Sequence, residues 1–153
     1  MGTAAKILTH YTYADYVQWE GRWEVIGGIP YAMSPAPVPK HQVVAGNLHA
    51  EFRLQLKQSD KCKVYQPIDY LVEEDTIFQP DLLIVCGVIA KKYLDFPPAL
   101  VAEILSPSTA AKDRFTKLPI YQSIGIPYYL IIDPDLEDVE VYELFDGQYK
   151  MTA

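Results

Sequence analysis

Leu100-Val101-Ala102-Glu103-Ile104-Leu105-Ser106-Pro107-Ser108-Thr109 reads as an apolar strand that runs into a helix start, with one acid inside the strand. A carboxylate among apolar strand residues is costly to desolvate unless a cation or hydrogen-bond donors compensate it. Upstream, Gln79-Pro80-Asp81-Leu82-Leu83-Ile84-Val85-Cys86 sets a second acid, Asp81, at the mouth of another apolar run. Downstream, Lys112-Asp113-Arg114-Phe115-Thr116-Lys117 makes a basic helix. Two carboxylates on neighbouring strands form a seat for Mg²⁺, which prefers oxygen ligands and retains several waters. A lysine arriving from the next helix can then stabilise negative charge on a phosphate. The pattern outlines a metal-dependent phosphodiesterase site.

The rest of the chain supplies the frame. Thr12-Tyr13-Ala14-Asp15 is a capping-box-like start to a first helix that Gly21 closes. Trp23 to Ile26 and Ile29 to Met33 read as two strands around a tight turn at Gly27-Gly28. The proline-rich Ser34 to Pro39 is a rigid connection. Lys40 to Gln58 is expected to be a helix, with Val43, Val44, Leu48, Phe52, Leu54 and Leu56 on its apolar side. Strands are expected at Lys63 to Val72 and Gln79 to Cys86, joined by the acidic turn Glu73-Glu74-Asp75, and then at Leu100 to Leu105. The helix after Ser106 should be kinked or interrupted by Pro119 before Tyr121 and closed by Gly125, before strands at Tyr128 to Asp133 and Val139 to Phe145. The class is α/β or α+β, with a mixed central sheet flanked by helices.

Composition narrows the function. At 153 residues, 50% apolar and 22% charged, residues 1–153 are expected to make one globular domain. No apolar run is long enough to cross a bilayer, and Met1 to His10 lacks a signal-peptide core, so a cytoplasmic protein is expected. Cys62 and Cys86 show no CxxC spacing and have no histidine cluster beside them. A zinc site or disulfide framework is therefore not expected, and Cys86 reads as a core residue. The net charge of −7 works against unaided grip on long duplex DNA, because non-specific affinity comes from Lys and Arg neutralising phosphates.

The run Trp23-Glu24-Val25-Ile26-Gly27-Gly28-Ile29-Pro30-Tyr31-Ala32-Met33-Ser34-Pro35-Ala36-Pro37, followed by His41-Gln42, resembles the start of the Uma-type endonuclease family, a bacterial domain of unknown function. Gln79-Pro80-Asp81, Val101 to Thr109, Asp113 to Lys117 and Lys117 to Pro134 continue the resemblance over nearly the whole chain. It implies the restriction-endonuclease-like fold and a variant PD-(D/E)XK site that cleaves DNA with Mg²⁺, for which Mn²⁺ can substitute. The usual lysine lies two residues after the second acid, where this chain has Leu105; the resemblance places it on the following helix, at Lys117. It also makes Glu24 an additional acid and the Ile104 carbonyl a third metal ligand beside Asp81 and Glu103. Gly27 departs from the pattern, since relatives commonly have Asp there. The chain also stops soon after Asp146-Gly147, so a shortened C-terminal end is expected.

Each candidate has a plainer reading. Asp81 would cap a strand entrance, and Glu103 or Glu24 would be the solvent-facing acid of a half-buried strand. Lys117 would be solvated, or paired with Asp113 one turn earlier on the surface. Lys112 is its rival, on a different face of an α-helix. His41, at a helix start, would contact a phosphate or water, or do neither. The expected function is Mg²⁺-dependent endonuclease chemistry on DNA by a homodimer or larger assembly. The alternatives are a catalytically weak nucleic-acid-binding or assembly domain on the same fold, and a nuclease acting on RNA or on unusual DNA structures.

Overall fold

The computed structural model describes residues 9–33, 37–107 and 109–153. The expected rigid connection therefore lies outside the described residues at 34–36, as does Ser108 in the helix start and most of the segment read for a signal peptide. Among the described residues, ten strands form two sheets. Strands β1 (Trp23–Ile26), β2 (Ile29–Ala32), β4 (Tyr70–Glu73) and β5 (Thr76–Phe78) make an antiparallel sheet in the order β2-β1-β5-β4. Strands β3 (Cys62–Tyr65), β6 (Leu82–Cys86), β7 (Leu100–Ile104), β8 (Tyr128–Asp133), β9 (Asp138–Phe145) and β10 (Gln148–Met151) make a mixed sheet in the order β10-β9-β8-β7-β6-β3. The helices are α1 (Tyr13–Tyr16), α2 (Pro39–Gln55) and α3 (Leu118–Ile124), and a π-helical turn at Lys112–Lys117 leads into α3. Among the described residues no helix is long and apolar enough to cross a membrane.

Local chemistry accounts for most boundaries. Gly27 and Gly28 both have positive φ, as a two-residue hairpin between paired Ile26 and Ile29 requires. Asp15 accepts a hydrogen bond from the Thr12 backbone N–H at 2.9 Å and so fixes the start of α1. Pro39 opens α2 at a position where its missing N–H costs nothing. Gly125, at φ 89°, ends α3 in the left-handed conformation.

Prolines also explain where the expected strands divide. Lys63 to Val72 is two strands, not one: β3 belongs to the mixed sheet and β4 to the antiparallel sheet, with Pro67 between them. Gln79 to Cys86 is likewise shorter, because Pro80 separates β5 from β6. A proline cannot donate to a ladder, so each crossing between sheets falls where a ladder bond is unavailable. The turn Glu73-Glu74-Asp75 joins β4 to β5 within one hairpin.

The mixed sheet has a core on each face. Leu83, Val85, Val101, Leu105 and Ile131 join Tyr121, Ile126 and Tyr129 in the larger cluster, while Leu82, Ala102, Ile104 and Ile132 lie under α2. This is the period-two alternation of strands covered on both sides. Val44, Ala45 and Leu48 of α2 pack against this core and Phe52 and Leu56 are half-buried, but Val43 and Leu54 are exposed, so the apolar side is narrower than expected. A single sheet face can contact only a narrow stripe of a helix.

The cysteine reading is overturned. Cys62 and Cys86 form a disulfide, and Cys86 is exposed at the end of β6 rather than buried in the core. The register of β3 against β6 sets these two residues directly opposite one another, which their separation of 24 in sequence conceals.

Candidate active site

Glu24 is completely buried, which removes the reading of a solvated strand acid. Its Oε2 accepts the Gln79 backbone N–H at 2.7 Å and the Lys117 Nζ at 3.0 Å, while Lys112 Nζ lies 2.7 Å from Oε1. Burial alone would raise its pKa; Lys117, Lys112 and the Gln79 amide outweigh it and hold the carboxyl below its usual value.

Glu103 is also buried, and its Oε1 accepts from Lys117 Nζ at 2.9 Å and from the Tyr121 hydroxyl at 3.3 Å. Here burial dominates, and the neighbouring Asp113, Asp81 and Glu24 add repulsion that Lys117 only partly offsets, so its pKa stands well above the usual range. Lys117 is 1% exposed and not a solvated lysine. Burial disfavours its charge, yet Glu103 and Glu24 keep the ammonium protonated and raise its pKa.

The π-helical turn decides how the two lysines stand. In an α-helix residues five apart diverge, whereas i→i+5 hydrogen bonding stacks them. Lys112 and Lys117 are therefore on one side and both reach Glu24, which corrects the expectation that they point to different faces. Pro119 is the second residue of α3; it lacks the N–H that an α-helical ladder would need there, and the helix is interrupted by the π turn that precedes α3. Asp113 Oδ1 lies 3.6 Å from Lys117 Nζ, and the pair is buried, not a surface salt bridge. Burial raises the Asp113 pKa to about 6.

Asp81 immediately precedes Leu82, which pairs with Ala102, so the register continues to set Asp81 against Glu103. Its Oδ2 accepts the Ile104 backbone N–H at 2.8 Å and lies 3.3 Å from His41 Nε2. The hydrogen bond to Asp81 raises the His41 pKa, with burial opposing it. Asp81, Glu103, Ile104, His41, Glu24, Asp113, Lys112 and Lys117 all line one cavity of about 240 Å³.

Two further residues belong to this place. Arg22 lines the cavity, with its Nε donating to Gln79 Oε1 at 3.0 Å; Gln79 Nε2 in turn donates to Tyr16 and Asp69. Tyr121 reaches Glu103 from α3. Each carried a signal in the sequence: Arg22 is two residues before Glu24, hence on the same side of an extended strand, and Tyr121 follows Lys117 by one helical turn.

Among the described residues, no three His, Cys, Asp or Glu side chains are grouped to enclose an ion. Mg²⁺ does not need such a cage, since it commonly takes one or two carboxylates and keeps its waters. The carboxylates on this cavity are hard oxygen donors, and the repulsion felt by Glu103 is what an added cation would relieve. The donor set fits.

Comparisons with known proteins give the family and the fold. The model of a family named Uma2, described as "Putative restriction endonuclease", matches residues 13–153. The "Uncharacterized protein slr1290" of Synechocystis is 29% identical over 141 residues, covering 86% of this chain and 73% of that protein. A crystal structure from Anabaena variabilis, described as a putative nuclease belonging to DUF820, superposes with a TM-score of 0.76 at 19% identity, covering 92% of this chain and 83% of its own. The fold is the restriction-endonuclease-like one.

Proposed function

We propose, from the premise that this chain belongs to the Uma2 family of putative restriction endonucleases, that it is a Mg²⁺-dependent endonuclease hydrolysing phosphodiester bonds of DNA through the cavity around Asp81 and Glu103. The observation that carries this reading is Lys117, fully buried, 2.9 Å from Glu103 and 3.0 Å from Glu24 on the wall that also holds Asp81. A structural core does not require a buried ammonium facing an open cavity, because apolar residues of similar volume are often as stable as a buried ion pair.

Asp81 and Glu103, with the Ile104 carbonyl, would hold the metal, with Mn²⁺ able to replace Mg²⁺. When bound it supplies Lewis acidity toward the scissile phosphate and acidifies a water. The chain's own groups do the rest. Lys117 stands in for the lysine absent at position 105, and its ammonium, fixed before substrate arrives, stabilises the charge that develops on the phosphoryl oxygens. Glu24 and Glu103 hold that ammonium in place, and Lys112 anchors Glu24 from its other oxygen. Gln79 aims the Arg22 guanidinium, whose remaining N–H groups suit non-bridging phosphate oxygens. His41 orients Asp81. A homodimer would place one such site on each strand of a duplex.

Incubation of supercoiled plasmid with Mg²⁺ or Mn²⁺ tests the reading. Nicking by the wild type and its loss in Asp81→Ala, with the circular dichroism spectrum intact, is the expected result. DNA retention without cleavage in either metal identifies a binding domain instead, and cleavage confined to RNA identifies the other substrate. Lys117→Ala retaining full cleavage while Lys112→Ala loses it would transfer the cationic role to Lys112. Sedimentation as a monomer at all concentrations would end the dimer proposal.

A further inference from the structure

Along β3, and reaching past the Cys86 end of β6, lies a second cavity, of about 480 Å³, that the reaction does not use. Lys61, Lys63, Lys91 and Lys92 line it, with Asp60 as the one acid. Four of the 13 cationic residues thus face a single cavity against one of the 20 acids, in a chain whose net charge is −7. Lys91 is paired with Asp95 at 2.8 Å and lies over the Tyr93 ring. Lys61, Lys63 and Lys92 are exposed and have no ion pair among the described residues.

The walls of this cavity are fastened together. One wall comes from the start of β3 and the other from the segment after β6; the Cys62–Cys86 disulfide crosses between them, and Gly87 N–H donates to the Lys61 carbonyl at 2.9 Å. Lys61 and Lys63 flank Cys62 two residues apart, which on an extended strand separates them by roughly 7 Å. That spacing spans about two phosphates of one DNA strand, which rises roughly 3.4 Å per nucleotide.

We infer that this lysine-lined cavity is a backbone-binding site for nucleic acid, holding phosphates of the substrate away from the point of cleavage. The inference rests on the nuclease reading for its choice of polyanion. The length of β6 puts the Lys61 and Gly87 end of the cavity roughly 17 Å from Asp81, about five base-pair rises along a duplex. A single bound duplex can therefore meet both ends of the strand. The cations are lysines without a planar fork, on flexible stems, which suits phosphate contact and carries no base readout. The site supplies locally the positive field that the whole chain lacks.

Fluorescence anisotropy of a labelled 30-base-pair duplex, titrated in EDTA at salt from about 50 to 200 mM, separates binding from cleavage. The variant Lys61→Gln/Lys63→Gln/Lys92→Gln is expected to flatten the slope of log affinity against log salt by about 0.9 per lysine, and to weaken binding roughly tenfold or more at mid-range salt. Lys150→Gln, on β10 at the opposite edge of the mixed sheet from β3, should keep the wild-type slope. Wild-type slope and affinity in the triple variant would overturn the proposal and leave the lysines as charges that blunt an edge strand. An equal loss in the remote variant would overturn it too, as diffuse attraction. Plasmid cleavage with patch-independent affinity removes the patch and spares the nuclease reading; patch-dependent affinity in a protein that never cleaves does the reverse.

Discussion

The two ends of β6 handle charge in opposite ways. At the Asp81 end, Glu24, Glu103, Asp113 and Lys117 are buried and bound to one another at hydrogen-bonding or near-contact distances. At the Cys86 end, Lys61, Lys63 and Lys92 stand in solvent, and a disulfide rather than ion pairing holds the walls. Buried charges interact strongly, shift each other's protonation and fix geometry, but each depends on its partners. Exposed charges are screened within a Debye length and add little to stability, yet they act on a polyanion together. One end is organised for chemistry at a point, the other for attraction over a surface.

The sharpest way to break this contrast is Lys117→Met. It leaves two buried carboxylates without their shared cation and should cost about 3–5 kcal/mol in urea denaturation, together with loss of cleavage. A cost below about 1 kcal/mol would mean that the buried network is not interdependent. At the other end, Cys62→Ser/Cys86→Ser should lower stability by about 3 kcal/mol, the value expected for a cross-link closing a loop of this length. Retained duplex affinity in that variant would show that the disulfide is not needed to shape the lysine cavity.

A pH series sharpens the contrast further. The Asp113 pKa rises on folding from 3.8 to about 6, so the folded state binds the extra proton between those values. Stability from this group is therefore present at low pH and lost as pH rises through about 6, by about 2–3 kcal/mol. The difference in unfolding free energy between wild type and Asp113→Asn should change across that window and be flat above it. The smallest expected effect is the stability of Lys61→Gln/Lys63→Gln/Lys92→Gln, within about 0.5 kcal/mol of wild type despite its altered binding. A large loss there would make the exposed end structural.

Much of this was readable along the chain because it is written in local rules. Gly27-Gly28 requires a hairpin, and Thr12 with Asp15 starts a helix. Glu103 within Leu100 to Leu105 announces a buried acid in need of a partner, and the ordered motifs from Trp23 to Pro134 name the family. What escaped was whatever depends on register or on departures from regular geometry. Cys62 and Cys86 carry no mark of pairing until β3 lies against β6. Arg22 gains its place only through Gln79, 57 residues away in sequence.

The sequence alone determined the class of the fold and marked Asp81 and Glu103 as acids set in apolar strands, since alternation, caps and turn residues act over a few positions. Tertiary structure decided which charges are buried, that Glu24 and Glu103 share one ammonium, and that a π turn brings Lys112 beside Lys117. Burial and charge pairing are properties of the space between elements, and no local pattern encodes that space.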